Sequence, residues 1–197
     1  IDDQELVSKN IYSCPQSLFK IHPDFDDVIL KILKNDKNAK IYFIKGKEIS
    51  FTKKTFERLK KKVGIDIDKI TFLDQMTTEE YINHCGRASV LLDPFYFGAG
   101  NSFHESMFYG TPTISKPNQF MRSKIVEGAY KQMKVEQPPV LKSLDEYVYK
   151  AIEFANFSPK KILETKKYFS KCADENLFEN MKALQDFQNS LLNIMRK

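Results

Sequence analysis

Cysteine and histidine are scarce in this chain of 197 residues, and their placing closes off several functions. Cys14, Cys85 and Cys172 are odd in number, far apart and without C-x-x-C spacing, so neither a disulfide framework nor a zinc site is expected. A reducing compartment fits such usage, and the expected location is cytoplasmic. His22, His84 and His104 form no H-x-x-x-H pair, so no protein-bound metal is expected. No apolar run approaches the ~20 residues that span a bilayer, and nothing at the start resembles a secretory signal. Internal repeats and low-complexity linkers are missing. So are a Ser-His-Asp or Cys-His arrangement and a glycosidase-like acid pair. The chain opens Ile-Asp-Asp without Met, which sets the expectation of a piece of a longer polypeptide.

The net charge of +5 comes from 31 basic and 26 acidic residues interleaved along the whole length. The tightest clusters, Lys60-Lys61-Lys62 and Lys160-Lys161, fall in segments of helical spacing, where a solvated lysine face is the ordinary outcome. Nucleic acid is therefore not an expected partner.

What is present is alternation. Short β-rich runs at 10–14, 39–45, 70–73, 88–93 and 112–115 are separated by helix-like stretches at 25–35, 52–63, 78–86 and 102–109. The pattern predicts an α/β fold, a Rossmann-like doubly wound parallel sheet of five or six strands, with Val140 and Leu141 as a sixth short strand. From Ser143 the pattern is helical to the end, giving one domain with an α/β core over 1–142 and a helical tail over 143–197. Capping boxes are expected at Thr77/Glu80 and Ser143/Glu146, and an N-cap at Ser158 before Pro159. A last helix over 176–195, with the stripe Leu177, Met181, Leu184 and Phe187, is equally suited to packing on its own domain or on another one.

In such sheets ligands bind beyond the carboxyl ends of the strands, so the loops there carry the function. The most informative runs from Asp93 to Pro112: a strand end, the small loop Gly98-Ala99-Gly100-Asn101, and a helix start. Free backbone N–H groups gathered there suit a phosphate. Ser102 and Glu105 have capping-box spacing, which makes Ser102 the natural N-cap and gives Glu105 two readings, a cap or an acceptor for ribose hydroxyls beside a pyrophosphate at Asn101 and Ser102. Gly110 is placed to end the helix in a left-handed turn. G-x-G without the third glycine, late in the sheet, gives weak support for a dinucleotide cofactor. After the first strand, Pro15 and Pro23 stiffen a turn that presents Gln16 and Lys20 toward the same edge. A lysine there can neutralise a diphosphate leaving group in place of a metal.

At these residues the chain resembles the O-linked N-acetylglucosamine transferase family, with its SPINDLY-like and bacterial TPR-linked relatives. The motifs are Cys14-Pro-Gln-Ser-Leu-Phe-Lys-Ile-His-Pro23, Ala88-Ser-Val-Leu-Leu-Asp-Pro94 and Gly100-Asn-Ser-Phe-His-Glu-Ser-Met-Phe-Tyr-Gly-Thr-Pro112. The similarity runs from about Tyr12 to the helical tail.

The resemblance implies a GT-B fold, of which this chain is the C-terminal, donor-binding domain. The reaction it implies is inverting, metal-independent transfer from a UDP-sugar, UDP-N-acetylglucosamine first, without a cofactor, to a protein or peptide acceptor. The catalytic lysine falls on Lys20, and the diphosphate cradle on Gly100, Asn101 and Ser102. The ribose carboxylate falls on Glu105, and the base-binding segment on 75–81, with Met76 giving backbone contacts and Tyr81 a stacking ring. Gln16 stands four residues before the lysine rather than the family's three, and Gly100-Asn101-Ser102 replaces a histidine and two threonines. An arginine expected after the last strand appears as Lys124, with Arg122 nearby. A facing N-terminal GT-B domain and TPR repeats would lie outside the chain. The alternative is a non-enzymatic interaction module whose nucleotide site has decayed.

Overall fold

The alternation folds into a five-stranded sheet in which all strands run parallel, in a computed structural model that describes residues 1–195. The strands are β1 (Ile11–Cys14), β2 (Lys40–Ile44), β3 (Ile70–Leu73), β4 (Val90–Leu92) and β5 (Thr113–Ile114), in the order β3-β2-β1-β4-β5. Tyr12 lies beside both Ile41 and Val90, so β1 is central. The chain winds outward from β1 to β3 and then returns to β4 on the other side of β1. That reversal leaves a crevice between the carboxyl ends of β1 and β4, where open sheets bind ligands. The expected sixth strand is a single bridge between Ser115 and Val140.

Four helices form the connections: α1 (Asp26–Asn35), α2 (Ile49–Val63), α3 (Thr78–Arg87) and α4 (Asn101–Ser106). Val28, Ile29, Ile32 and Leu33 of α1 are buried, as are Leu59 and Val63 of α2, each of the larger ones contributing ~1.5–3 kcal/mol of burial. After β5 come α5 (Ile125–Gln132), α6 (Leu144–Ala155), α7 (Pro159–Asn176) and α8 (Met181–Met195). Tyr147, Val148, Ala151 and Ala155 of α6 share the main core with the sheet and α1. A second core joins Phe103 and Met107 to Tyr130 of α5 and Phe169 of α7. The capping boxes at Thr77/Glu80 and Ser143/Glu146 form, and Ser158 caps α7 with Pro159 in its first turn.

Two expectations are corrected. The helix expected over 176–195 is broken: α7 stops at Asn176, Leu177 turns into the second core, Glu179 takes a φ of 47°, and Asn180 accepts from the Ala183 amide to start α8. The predicted stripe is thereby divided, with Leu177 buried while Met181, Leu184 and Phe187 stay exposed. The second correction concerns Ser102. The helix expected over 102–109 runs as α4 over Asn101–Ser106, and its cap falls two residues before Ser102, on Gly100, with no side-chain cap, so no capping box joins Ser102 to Glu105.

Lys166 of α7 is 1% exposed and donates to the carbonyls of Leu6, Gly86 and Ala88 at 2.8, 2.5 and 2.8 Å. Burial lowers its ammonium to about 7, while three acceptors satisfy its three donors. Its own carbonyl lies 1.9 Å from where a Cβ on Gly110 would stand, and Gly110 has a φ of 66°. Only glycine fits both demands.

Candidate functional site

Two loops meet at the crevice between β1 and β4. The one after β1 makes a 3-10 turn over Leu18–Lys20, and the one after β4 runs through Gly98 into α4. Lys20 is half-buried; its Nζ donates to Gln16 Oε1 at 3.1 Å and to the Gly98 carbonyl at 3.2 Å, and sits 4.6 Å above the Phe97 ring. All of these partners are neutral, and among the described residues no carboxylate lies within 4 Å of this ammonium. Burial lowers its pKa, and the charge of Asp93 works against that.

Gln16, 5% exposed, donates through Nε2 to Ser102 Oγ at 2.8 Å. The structure thus brings Gln16, Lys20 and Ser102 together. Asn101 and Ser102 occupy the first turn of α4, where amides have no intrahelical acceptor, and Gly100 has nothing within 4 Å of the place a Cβ would take. Helix α4 is only six residues long, so its dipole is small, and the anion-binding capacity rests on Lys20 and the open loop. Glu105 is partly exposed and makes no ion pair or side-chain hydrogen bond among the described residues.

A cavity of about 520 Å³ opens beside this cluster, lined by Gln16, Phe19, Gly46, Gln75, Met76 and Tyr81 among others. Met76 and Tyr81 therefore share a space with Gln16, and Tyr81 also lines a smaller gap with Gln16 and Ser102. Tyr81 packs against Cys85, Ala88 and Leu91, and its hydroxyl is buried without a partner. The phenol ring forms part of the wall. His84 is bonded to Ser13 Oγ at 2.7 Å, and burial pushes its pKa down to about 4. His104 Nδ1 lies 3.3 Å from the Gly100 carbonyl.

The parts played by Asp93 and Phe97 escaped sequence reasoning, as did the bracing role of Arg122. Asp93 is fully buried, accepts from the Ala99 amide at 2.7 Å and from Ser115 Oγ at 2.6 Å, and burial raises its pKa to about 7. An acid ending an otherwise apolar strand was the available signal. Gly98 is small for its sake: a Cβ there would stand 2.8 Å from the Asp93 carboxylate. Phe97 supplies the ring under Lys20, and Arg122 braces the loop, its Nε donating to the Tyr96 carbonyl and its own carbonyl accepting from the Gly98 amide. No sequence signal distinguishes Phe97 from the other aromatic residues. Lys124, where the family arginine was expected, serves as the cap residue of α5.

A five-stranded parallel sheet of this order with flanking helices has the fold of the C-terminal domain of GT-B glycosyltransferases. The chain is similar in sequence to the probable UDP-N-acetylglucosamine–peptide N-acetylglucosaminyltransferase SEC of Arabidopsis thaliana, 24% identical over 185 residues. The match takes in 92% of this chain and 18% of that protein. In structure it resembles the Thermobaculum terrenum O-GlcNAc transferase, with a TM-score of 0.81 at 14% identity over 95% of this chain and 36% of the other. Staphylococcus aureus TarM follows at a TM-score of 0.66, solved with UDP, over 92% of this chain and 35% of that one. A scan against models of known protein families returns no match. The chain thus spans well under half the length of these relatives. No described helix is long and apolar enough to cross a membrane.

Proposed function

We propose that this domain is the donor-binding half of a glycosyltransferase, taking a UDP-sugar, with UDP-N-acetylglucosamine first, and acting with a facing domain on a protein or peptide. The observation that carries the reading is Lys20: a half-buried ammonium held only by neutral acceptors and a ring face, beside free amides of the Gly100–Ser102 segment. Keeping a cation partly desolvated without a counter-ion is costly, and a diphosphate offsets that cost. As the bond from sugar to phosphate breaks, negative charge grows on the leaving oxygen, and Lys20 is the group to neutralise it. In this reading Ser102 and the Asn101 amide hold the diphosphate, and Glu105 accepts from the ribose. The base enters the cavity by Met76 and Tyr81.

Metal independence is taken from the resemblance, in which a lysine at the position of Lys20 neutralises the leaving diphosphate in place of a metal. We take the reaction to be inverting on the resemblance alone, because one trehalose-6-phosphate synthase sharing this fold is described as transferring with retention. The site is proposed to work in the cytoplasm. A decayed scaffold would have no need to keep Gln16, Lys20 and Ser102 joined by hydrogen bonds.

A thermal-shift series with UDP, UMP and ADP, each with and without EDTA, tests the reading. UDP at ~100 times its dissociation constant should stabilise the fold by ~2.7 kcal/mol whether or not EDTA is present. No shift with any nucleotide would return the domain to the scaffold reading, and a UDP shift abolished by EDTA would overturn metal independence.

A further inference from the structure

Asp93 ends a strand whose residues are all buried, and it is itself 2% exposed. Burying an acid there is expensive, yet both its oxygens are in use. Oδ1 accepts from the Ala99 amide at 2.7 Å, and Oδ2 accepts from Ser115 Oγ at 2.6 Å, just beyond β5. The Ala99 N–H belongs to the same peptide unit as the Gly98 carbonyl, and that carbonyl accepts from Lys20 at 3.2 Å. In a trans peptide the N–H and C=O are coplanar and point opposite ways. Fixing the amide against Asp93 therefore aims the carbonyl outward. Gly98 has no room for a side chain over the carboxylate, and its own amide, in the preceding peptide unit, is held by the Arg122 carbonyl at 3.0 Å, so the chain is anchored on both sides of the Gly98 Cα.

We propose that Asp93 is a positioning residue for the anion cradle: by pinning the Ala99 amide it sets the Gly98 carbonyl that steadies Lys20 at the mouth of the crevice. The inference rests on reading that cradle as the diphosphate site. It assigns Asp93 no contact with the nucleotide. What the position requires is an acceptor of the right reach, and the charge is secondary.

The test is a cycle read by calorimetric titration of UDP, using Asp93→Ala, Asp93→Asn, Lys20→Ala and the Asp93→Ala/Lys20→Ala double variant. Asp93→Ala should lose roughly tenfold in affinity, the scale of one lost hydrogen bond. Asp93→Asn keeps an oxygen for the Ala99 amide and should stay within about threefold of the wild type. The double variant should match Lys20→Ala alone, because the effect passes through the lysine. Equal losses in the alanine and asparagine variants, or additive losses in the double variant, would overturn the proposal. Should Asp93→Ala fail to fold, Gly98→Ala displaces the same peptide from outside and must reproduce the loss. Hydrogen exchange at the Ala99 amide in nucleotide-free protein separates this proposal from the reading beneath it. Protection lost in Asp93→Ala and kept in Asp93→Asn supports the positioning role even if UDP does not bind, whereas protection unchanged in Asp93→Ala rejects it even if UDP does.

Discussion

Gln16 and Ser102 stand 86 positions apart in the chain, and the Gln16 amide nitrogen donates to the Ser102 hydroxyl at 2.8 Å. The same amide's oxygen takes the Lys20 ammonium, so one side chain joins both loops of the crevice. Its spacing from Lys20 differs from the family's glutamine by one residue, and the turn over Leu18–Lys20 brings it within reach all the same.

Lys20→Ala should weaken UDP binding by ~1.5–3 kcal/mol, the range for a lost charge-assisted hydrogen bond. Lys62→Ala, which removes a lysine paired with Asp27 on the surface, should leave affinity nearly unchanged. Titration calorimetry on both variants decides it, and equal losses would mean that only bulk positive charge matters.

Glu105→Gln addresses the ribose assignment. Because no capping box forms, the substitution removes no hydrogen bond from the fold, and the melting temperature should hold. UDP affinity should fall by ~1–2 kcal/mol if the carboxylate accepts from ribose hydroxyls. Intact binding in this variant would sink the assignment.

Acid titration should reveal two opposed contributions. Between about pH 4 and 7 the folded protein keeps a proton on Asp93 that the unfolded chain, with its pKa of 3.8, has released, so this contribution to stability is lost as pH rises. Between about pH 4 and 6.5 the unfolded chain binds a proton on His84 that the folded state refuses, so this contribution is lost as pH falls. Relative to wild type, Asp93→Asn should therefore gain melting temperature as pH rises through that window. His84→Gln should gain it as pH falls. Calorimetric scans at half-unit steps would expose parallel curves, which neither assignment survives.

Much of this was legible beforehand. The strands at 70–73 and the capping boxes at Thr77 and Ser143 were marked by β-branched runs and by side chains bonding their own backbone, both local effects. The small loop after β4 and the stiff turn after β1 were visible as chemistry. Strand order was not, because it depends on which runs meet after the chain has travelled to β3 and back. Asp93 looked like a strand-ending acid because its partners, Ala99 and Ser115, become neighbours only in the fold. The break after Asn176 was hidden by a stripe that continues helically in sequence, although Leu177 finds more burial by turning inward.

Helix α8 leads to a further expectation. None of its residues is buried, and Met181, Leu184, Phe187 and Leu191 leave an apolar face bare. Removing residues 181–197 should change folding stability by less than ~1 kcal/mol and reduce self-association. Sedimentation and melting curves on the shortened chain would show it, and a large drop in melting temperature would mean that the face is needed by the domain itself.

Lys166→Met should cost at least about 2 kcal/mol, because the carbonyls of Leu6, Gly86 and Ala88 lose a shared donor in a buried place. For a chain of this size that corresponds to roughly 4–8 °C in melting temperature. A smaller shift would show that other donors reach those oxygens.

The same lysine sets an order of events during synthesis. It reaches back 160 positions to Leu6, so a chain leaving the ribosome amino-terminus first carries three unmet carbonyls until α7 has emerged. Those carbonyls precede β1 and β4, at the end of the sheet away from the crevice. The crevice loops, whose braces Ser115 and Arg122 also precede α7, are available for assembly while the opposite end still waits. A nascent chain paused before α7 would therefore hold its prospective nucleotide site in a body not yet closed, and ligand present at that moment would meet the loops before the fold is locked.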